Sequence, residues 1–131
     1  MEGRLTDSGT LKALRRREPL FHRRDVVSSA ADADREMAAD YWETGASGRR
    51  YSRDFVLATL TERFAESPAA DAGESWTVTD FDVREIADRT YLVTYVLNEQ
   101  PRLTARVSVW QGSEVEGWKV LYHQGTVISP E

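Results

Sequence analysis

The spacing of the apolar residues changes near Trp76, and this change constrains the fold more than any other feature of the chain. Earlier in the chain apolar side chains recur every three or four positions, which is typical of amphipathic helices. From Trp76 onward they follow a period of two in the segments WTVTDFDVREI, TYLVTYVLN, RLTARVSVW and GWKVLYHQGTVI. The connections ADR, EQP and QGSEVE are short enough for hairpins. We therefore predict an α+β fold with a four-stranded antiparallel meander.

Three helices are predicted before this meander. The first spans residues 8–18, and the second spans residues 28–45 with Ser29 or Asp32 as its cap. The third begins at the cap residue Ser52 and ends before Pro68. Residues 19–27 show no clean period and are predicted to form an irregular connection, and residues 49–51 could add a short fifth strand. The predicted fold thus has three N-terminal helices packed on a curved four- to five-stranded antiparallel sheet.

The first strand contains a conflict in its alternation. Trp76 and Val78 share one face, whereas Phe81 and Val83 share the other. A regular strand cannot bury both pairs on one side, so we predict a bulge or sharp bend near residues 79–80. The second strand is apolar on both faces, which is typical of a strand covered on both sides.

One face of the sheet has no predicted cover. Three helices can cover one face of four strands, and the chain has no further element for the other. Large exposed apolar patches usually mark interfaces. We therefore predict a homodimer formed through the sheet face, with interface residues His123, Leu121 and Val107.

Composition excludes several classes of protein. The chain has no cysteine, which excludes disulfides and thiolate chemistry. The first 18 residues lack the apolar stretch of a signal peptide, and no segment approaches the roughly 18 apolar residues of a membrane span. We expect one cytoplasmic domain over residues 1–131, with residues 1–9 flexible and no contact with membranes.

The charge is distributed unevenly. Residues 1–24 carry seven Arg or Lys and three acidic residues, a net charge of +4, whereas the whole chain carries −5. Such a segment can contact nucleic acid or an acidic partner. No aromatic residue interleaves the arginine cluster, so we expect it to dock on the acidic body of the protein and do not expect nucleic-acid binding.

The sequence resembles the uncharacterised SnoaL-like branch of the nuclear transport factor 2-like superfamily. The resemblance covers residues 10–128, and its most specific pieces are DYWETGASGR and YHQGT. It implies a cone-shaped, cystatin-like fold with an internal pocket and often a dimer. Members of the superfamily include isomerases, cyclases, dehydratases, epoxide hydrolases, enzyme subunits and assembly domains, so the resemblance implies no single activity.

Strand alternation predicts which residues line that pocket. Trp110 and Trp118 flank the last turn with the same parity, so a simple register gives them a common face. That face mixes aromatic and hydrogen-bonding groups, as small-molecule pockets do. The predicted pocket residues on these strands are Arg106, Ser108, Trp110, Tyr122 and Gln124. Trp42, from the second predicted helix, and Tyr95 are predicted to join Tyr122 in an aromatic box of the pocket, with packing in the core as the alternative.

Arg106 is the predicted anchor for an anionic group such as a carboxylate or phosphate. The alternative is a strand arginine paired with Glu85 or Asp82. In the kinase association domains of the superfamily, the resemblance implies a cationic residue two positions before the tryptophan. Ser108 occupies that position here, so the anion site of those domains does not carry over directly to this chain.

Catalytic and metal motifs are not evident. His22 and His123 are far apart in the sequence and lack the spacing of metal ligands, and no cofactor is predicted. Asp40, Asp80 and Asp82 lie outside the apolar runs that would raise a carboxyl pKa. The first hypothesis is therefore a homodimer whose pocket binds a small ligand. This ligand is either neutral or anionic. The alternatives are an isomerase or cyclase acting on a carbonyl-containing ring compound, and an assembly module with a vestigial pocket.

Overall fold

The elements of the fold were determined from a computed structural model, which describes residues 8–23, 25–66, 76–113 and 115–128. In chain order they are helix α1 (Ser8–Arg17), a 3-10 helix (Leu20–His22), α2 (Ala30–Glu36), strands β1 (Met37–Thr44) and β2 (Arg50–Ser52), α3 (Arg53–Glu66), β3 (Thr77–Ala87), β4 (Thr90–Asn98), β5 (Leu103–Ser113) and β6 (Gly117–Val127). Of the segment predicted to be flexible, residues 8 and 9 belong to α1, and residues 1–7 lie outside the described part.

The first and third predicted helices are confirmed. Leu14 is the buried residue of α1, and Val56 and Leu60 are the buried residues of α3. The hydroxyl of Ser52 accepts a hydrogen bond from the backbone N–H of Phe55 at 3.2 Å, as expected for a helix cap. Local sequence signals were sufficient here because both ends of α3 carry start and stop residues.

The second predicted helix is wrong beyond residue 36. Ser29 caps the short α2 through the backbone N–H of Asp32, and the chain then enters strand β1. Met37 and Tyr41 are both buried, and a spacing of four residues places two side chains on one face of a helix and also on one face of a strand. Pairing with a neighbouring strand decides between the two.

The sheet is mixed and has six strands in the described residues, not the four or five antiparallel strands predicted. The spatial order is β2-β1-β6-β5-β4-β3. Strand β1 runs parallel to β6, and the other pairs are antiparallel. Strands β1 and β2 precede α3, so the helices do not all come before the sheet.

The helices cover one face of this sheet, which we call the inner face. Its buried side chains, with those of the helices, form one core of Leu14, Leu20, Val27, Ala33, Met37, Tyr41, Val56, Leu60, Val83, Tyr91, Val93, Tyr95, Leu97, Trp110 and Val120. The opposite, outer face is only partly buried, and Trp42 on this face is 40% exposed. No helix in the described residues has the length and apolar character needed to cross a membrane.

The predicted bend in the first strand is confirmed. The pairing of β3 with β4 shifts register between Thr79 and Asp82. Asp80, between them, has a φ of 56°, which Asp tolerates better than most residues other than glycine. The irregularity resolves the conflict of alternation seen in the sequence.

A second irregularity lies in β6 and was not predicted. Val109 pairs with Tyr122, but Trp110 pairs with Val120, so one extra residue is accommodated around Leu121. An extra residue exchanges the faces of all side chains beyond it. Tyr122 therefore lies on the outer face, and His123 lies on the inner face.

Candidate functional site

A cavity of about 180 Å³ lies between the inner face and the 3-10 helix. Its wall combines residues of the α1 end, the 3-10 helix, β1, α3, β5 and β6. The lining residues are Glu18, Leu20, Phe21, His22, Tyr41, Glu43, Arg63, Arg106, Ser108, Val120 and His123. Most of these side chains carry hydrogen-bonding or ionisable groups, so the cavity can orient a polar molecule.

The carboxylate of Glu18 is buried in the cavity wall, with 2% of its surface exposed. One oxygen accepts hydrogen bonds from the Tyr95 hydroxyl at 2.8 Å and the Leu20 backbone N–H at 3.3 Å. The other accepts from the indole N–H of Trp110 at 2.7 Å. Three donors thus satisfy this carboxylate, which joins the end of α1 to β4 and β5.

Glu43 and Tyr41 project from β1 into the cavity. The Tyr41 hydroxyl donates a hydrogen bond to the Glu43 carboxylate. Burial raises the pKa of Glu43, although the hydrogen bond from Tyr41 and the nearby charge of Arg106 act in the opposite direction. Burial also raises the pKa of Tyr41 well above its usual range. Glu43 is therefore a carboxyl group that holds its proton more readily than a solvated glutamate.

Arg106 contributes the cation of the inner wall. Its Nε donates to the Thr104 hydroxyl at 3.0 Å. Within the described residues no carboxylate forms an ion pair with Arg106, and in particular neither predicted partner, Glu85 or Asp82, does so. The guanidinium also lies close to Gly125, directly opposite on β6, where the absence of a side chain leaves it room. The guanidinium also interacts with the Tyr95 hydroxyl, and its remaining N–H donors are available for a guest molecule.

Ser108 and His123 face each other across β5 and β6. Their Oγ and Nδ1 atoms share a hydrogen bond of 2.7 Å. Burial lowers the pKa of His123 to about 4, so its ring is neutral at physiological pH. No carboxylate in the described part of the chain hydrogen-bonds to this ring, so the pair does not extend into a Ser-His-Asp triad.

His22 closes another side of the cavity. Its Nε2 lies 2.8 Å from the Glu99 carboxylate, and its ring meets that of Trp76 edge to face at 6.2 Å. The buried Nδ1 has no hydrogen-bond partner within the described residues. This atom can serve a polar guest or a water molecule.

The seven predicted pocket residues fall into three groups. Arg106 and Ser108 line the cavity. Tyr95 and Trp110 lie on the same face but behind the wall, where they hold Glu18. The other three, Trp42, Tyr122 and Gln124, do not line the cavity, because the β6 bulge and the register of β1 place them on the outer face.

The three predicted interface residues are also separated by the β6 bulge. Val107 pairs with Gln124 on the outer face. The assignment of His123 to that face is wrong, because its ring lines the cavity and bonds to Ser108. Leu121 is half-buried at the bulge itself.

Sequence patterns missed several residues that line the cavity. Tyr41 and Glu43 were assigned to a helix, and their alternation on one face became meaningful only once β1 was known to be a strand. Glu18 was counted only as a charge at the end of a helix. His22 was considered only as a metal ligand, and no three His, Asp or Glu side chains in the described ranges cluster closely enough to hold a metal.

The fold is shared with several solved structures. A nuclear transport factor 2-like protein from Cytophaga hutchinsonii matches 94% of this chain and 100% of its own, with a TM-score of 0.66 and 14% identity. A cystatin-like fold protein from Burkholderia xenovorans matches 93% of this chain and 91% of its own, with a TM-score of 0.67 and 14% identity. A proposed ketosteroid isomerase from Parabacteroides distasonis matches 80% of both chains, with a TM-score of 0.55 and 13% identity.

The chain therefore has the nuclear transport factor 2-like, or cystatin-like, fold. No protein-family model matches the sequence. No functionally curated protein matches it either. At this level of identity the similarity defines the architecture, and a narrower relationship to the SnoaL-like branch stays a prediction.

Proposed function

We propose that the protein binds a small carboxylate-bearing molecule in the cavity, with Arg106 as the anchor. The observation that carries this proposal is a partly buried guanidinium without an ion pair among the described residues, lining a cavity rich in hydrogen-bonding groups. Arginine binds carboxylates through two parallel hydrogen bonds, which are stronger in a partly desolvated site than in water.

The two acidic side chains of the cavity are compatible with an anionic guest. Three hydrogen-bond donors occupy the carboxyl oxygens of Glu18. Burial raises the pKa of Glu43, so this side chain takes up a proton beside a guest carboxylate more readily than a solvated glutamate would. Neutral His123 adds a polar group without a competing charge.

The proposal can be tested by calorimetric titration of acetate, propanoate and benzoate, with their uncharged amides for comparison. Arg106→Ala should weaken carboxylate binding by about 10-fold or more, because hydrogen bonds to charged groups contribute roughly 1.5–3 kcal/mol. Arg106→Lys should give an intermediate affinity, because it keeps the charge but not the planar fork.

Two further arginines serve as controls. Arg63 lies at the cavity mouth and is exposed, so Arg63→Ala should have a smaller effect. Arg102 is exposed and outside the cavity wall, so Arg102→Ala should leave affinity unchanged. Equal binding of acids and amides, or an unchanged affinity in Arg106→Ala, would rule out the proposed anchor.

A second candidate function is proton transfer on a carbonyl compound. It is favoured by one observation, the partly buried Glu43 whose pKa is raised and whose carboxylate is oriented by the Tyr41 hydroxyl. A general base works best when its pKa approaches the working pH. The similarity in fold to a proposed ketosteroid isomerase is compatible with this function but does not establish it.

Exchange of α-protons distinguishes this candidate from simple binding. Cyclic ketones in D₂O would be followed by NMR with wild-type protein and with Glu43→Gln. Catalysed exchange that disappears in Glu43→Gln supports an enzyme. Exchange at the same rate in both proteins, or at the rate of buffer alone, leaves binding as the function.

We also infer that a second copy of the chain covers the outer face. Trp42 is 40% exposed there and packs against Tyr122 with ring centroids 4.8 Å apart. The Tyr122 hydroxyl is hydrogen-bonded to Thr44 and Gln124, so this polar group of the patch is already paired. An exposed pair of aromatic rings on a sheet face favours association with a second apolar surface.

A further inference from the structure

An apolar groove adjoins the cavity at its mouth. The groove has a volume of about 270 Å³ and lies between α3 and β2. Cavity and groove share three lining residues, Phe21, Glu43 and Arg63. The two spaces are therefore neighbours that share part of their walls.

The groove differs from the cavity in its chemistry. The buried side chains of Val56 and Leu60 contribute apolar surface. The rings of Tyr51 and Phe55 stack with centroids 4.9 Å apart and an angle of 14°. Phe55 is nevertheless 52% exposed. A half-exposed phenyl ring beside an apolar groove offers a surface for another flat ring.

The volume of the cavity limits the size of a guest that it can hold alone. The cavity of about 180 Å³ is smaller than the roughly 300–1,000 Å³ of ordinary small-molecule pockets. A guest confined to it would consist of few atoms. A guest that also occupies the groove would place its polar end near Arg106 and its apolar end near Phe55.

We propose that the site takes an arylalkanoic acid, whose carboxylate binds Arg106 and whose aromatic ring lies in the groove against Phe55 and Tyr51. This inference rests on the proposed binding function and adds the class of ligand to it. Glu43 and Phe21 lie at the junction of the two spaces, where the short chain between carboxylate and ring would pass.

A matched set of three probes tests the two halves of the ligand separately. Propanoate carries the carboxylate alone, 3-phenylpropanol carries the ring alone, and 3-phenylpropanoate carries both. We expect wild-type protein to bind 3-phenylpropanoate at least about 10-fold more tightly than propanoate, as burial of a phenyl ring requires. Phe55→Ala should reduce this difference to about 3-fold or less without changing the affinity for propanoate.

The control variant removes an equally exposed apolar side chain elsewhere. Ile86 on β3 is 51% exposed and does not line the groove, so Ile86→Ala should bind all three probes like wild type. A second measurement does not depend on the stability of a variant. Bound 3-phenylpropanoate should shift the methyl NMR signals of Val56 and Leu60 through its ring current.

The outcomes separate this inference from the proposed function. If propanoate binds through Arg106 but the ring adds no affinity and no shift of the Leu60 methyl signals, the groove inference is wrong and the carboxylate site remains. If 3-phenylpropanol binds as tightly as 3-phenylpropanoate, Arg106 is not the anchor and both proposals are wrong. Absence of binding by all three probes overturns both as well.

Discussion

Ser108 Oγ lies 2.7 Å from His123 Nδ1, in a cross-strand pair between β5 and β6. This contact depends on the register shift beside Trp110, without which His123 would lie on the outer face. The same shift moves Tyr122 away from the cavity. One irregularity in the last strand therefore decides which side chains meet a guest molecule and which lie on the opposite face.

The neutral His123 ring predicts a specific dependence of stability on pH. Its pKa is about 4 in the folded protein and about 6.5 when unfolded, so between these values the unfolded chain binds more protons. Stability should therefore rise with pH across this window and be lost as the pH falls through it. The difference corresponds to on the order of 3 kcal/mol.

Urea unfolding of wild type and His123→Gln at pH 7 and pH 4.5 checks this dependence. Glutamine retains a hydrogen-bonding group near Ser108 but does not titrate. Other acidic groups, such as Asp32, contribute equally to both proteins. The free energy of unfolding should fall more steeply with acid in wild type, and parallel pH profiles would contradict the assignment.

Glu18 is predicted to contribute strongly to stability. Glu18→Ala leaves the Tyr95 hydroxyl and the Trp110 indole N–H without their acceptor in the core. Each unsatisfied buried donor costs roughly 1–3 kcal/mol, so the free energy of unfolding should fall by at least about 2 kcal/mol. Glu18→Gln keeps one acceptor oxygen and should cost less. The exposed Glu62→Ala in α3 should change stability little, and an equally small effect at Glu18 would refute its bridging role.

The Tyr41–Glu43 hydrogen bond predicts the direction of a pKa change. Burial raises the pKa of Glu43, and the hydrogen bond from Tyr41 partly offsets that effect. Tyr41→Phe removes the offset, so the pKa of Glu43 should rise further. Carboxyl carbon NMR of glutamate-labelled protein measures this change directly.

Tyr91→Phe, which alters a tyrosine outside the cavity wall, should leave the pKa of Glu43 unchanged. A decrease in Tyr41→Phe would show that the tyrosine does not stabilise the ionised carboxylate.

The positive φ of Asp80 predicts opposite effects for two substitutions. Glycine adopts a φ of 56° without steric cost, so Asp80→Gly should preserve or slightly increase stability. Asp80→Val introduces a branched side chain at this φ and should lower stability by about 1–2 kcal/mol. Thr79→Val, on the same exposed strand segment at ordinary φ, is the matched control. Chemical denaturation measures the free energy of unfolding of the three variants. Equal losses of stability in Asp80→Val and Thr79→Val would contradict the positive φ at Asp80.

The proposed dimer predicts a change of mass on substitution of the outer face. Wild-type protein should elute with twice the 14.9 kDa mass of one chain in light-scattering chromatography. Val107→Asp introduces an unpaired charge next to Gln124 on this face and should shift the mass towards that of the monomer. Thr61→Asp, on the exposed side of α3, should not. A monomeric wild-type protein would leave the outer face without the proposed partner.

Local patterning was enough to define helices α1 and α3, the four strands after Trp76 and the bend beside Asp80. These features depend on signals within a few residues, such as the cap at Ser52, the period of two and the conflict between Val78 and Phe81. Each signal is contained in the chain segment that it organises, so no distant partner is needed to interpret it.

The cavity depended on tertiary structure for two physical reasons. The spacing of Met37 and Tyr41 fits a helix and a strand equally, and only the parallel pairing with β6 makes residues 37–44 a strand that presents Glu43 inward. The bulge beside Trp110 arises from pairing between two strands and leaves no mark in the alternation of either one. Residue types and periods are local properties, whereas the face that a side chain occupies depends on the register with its neighbours.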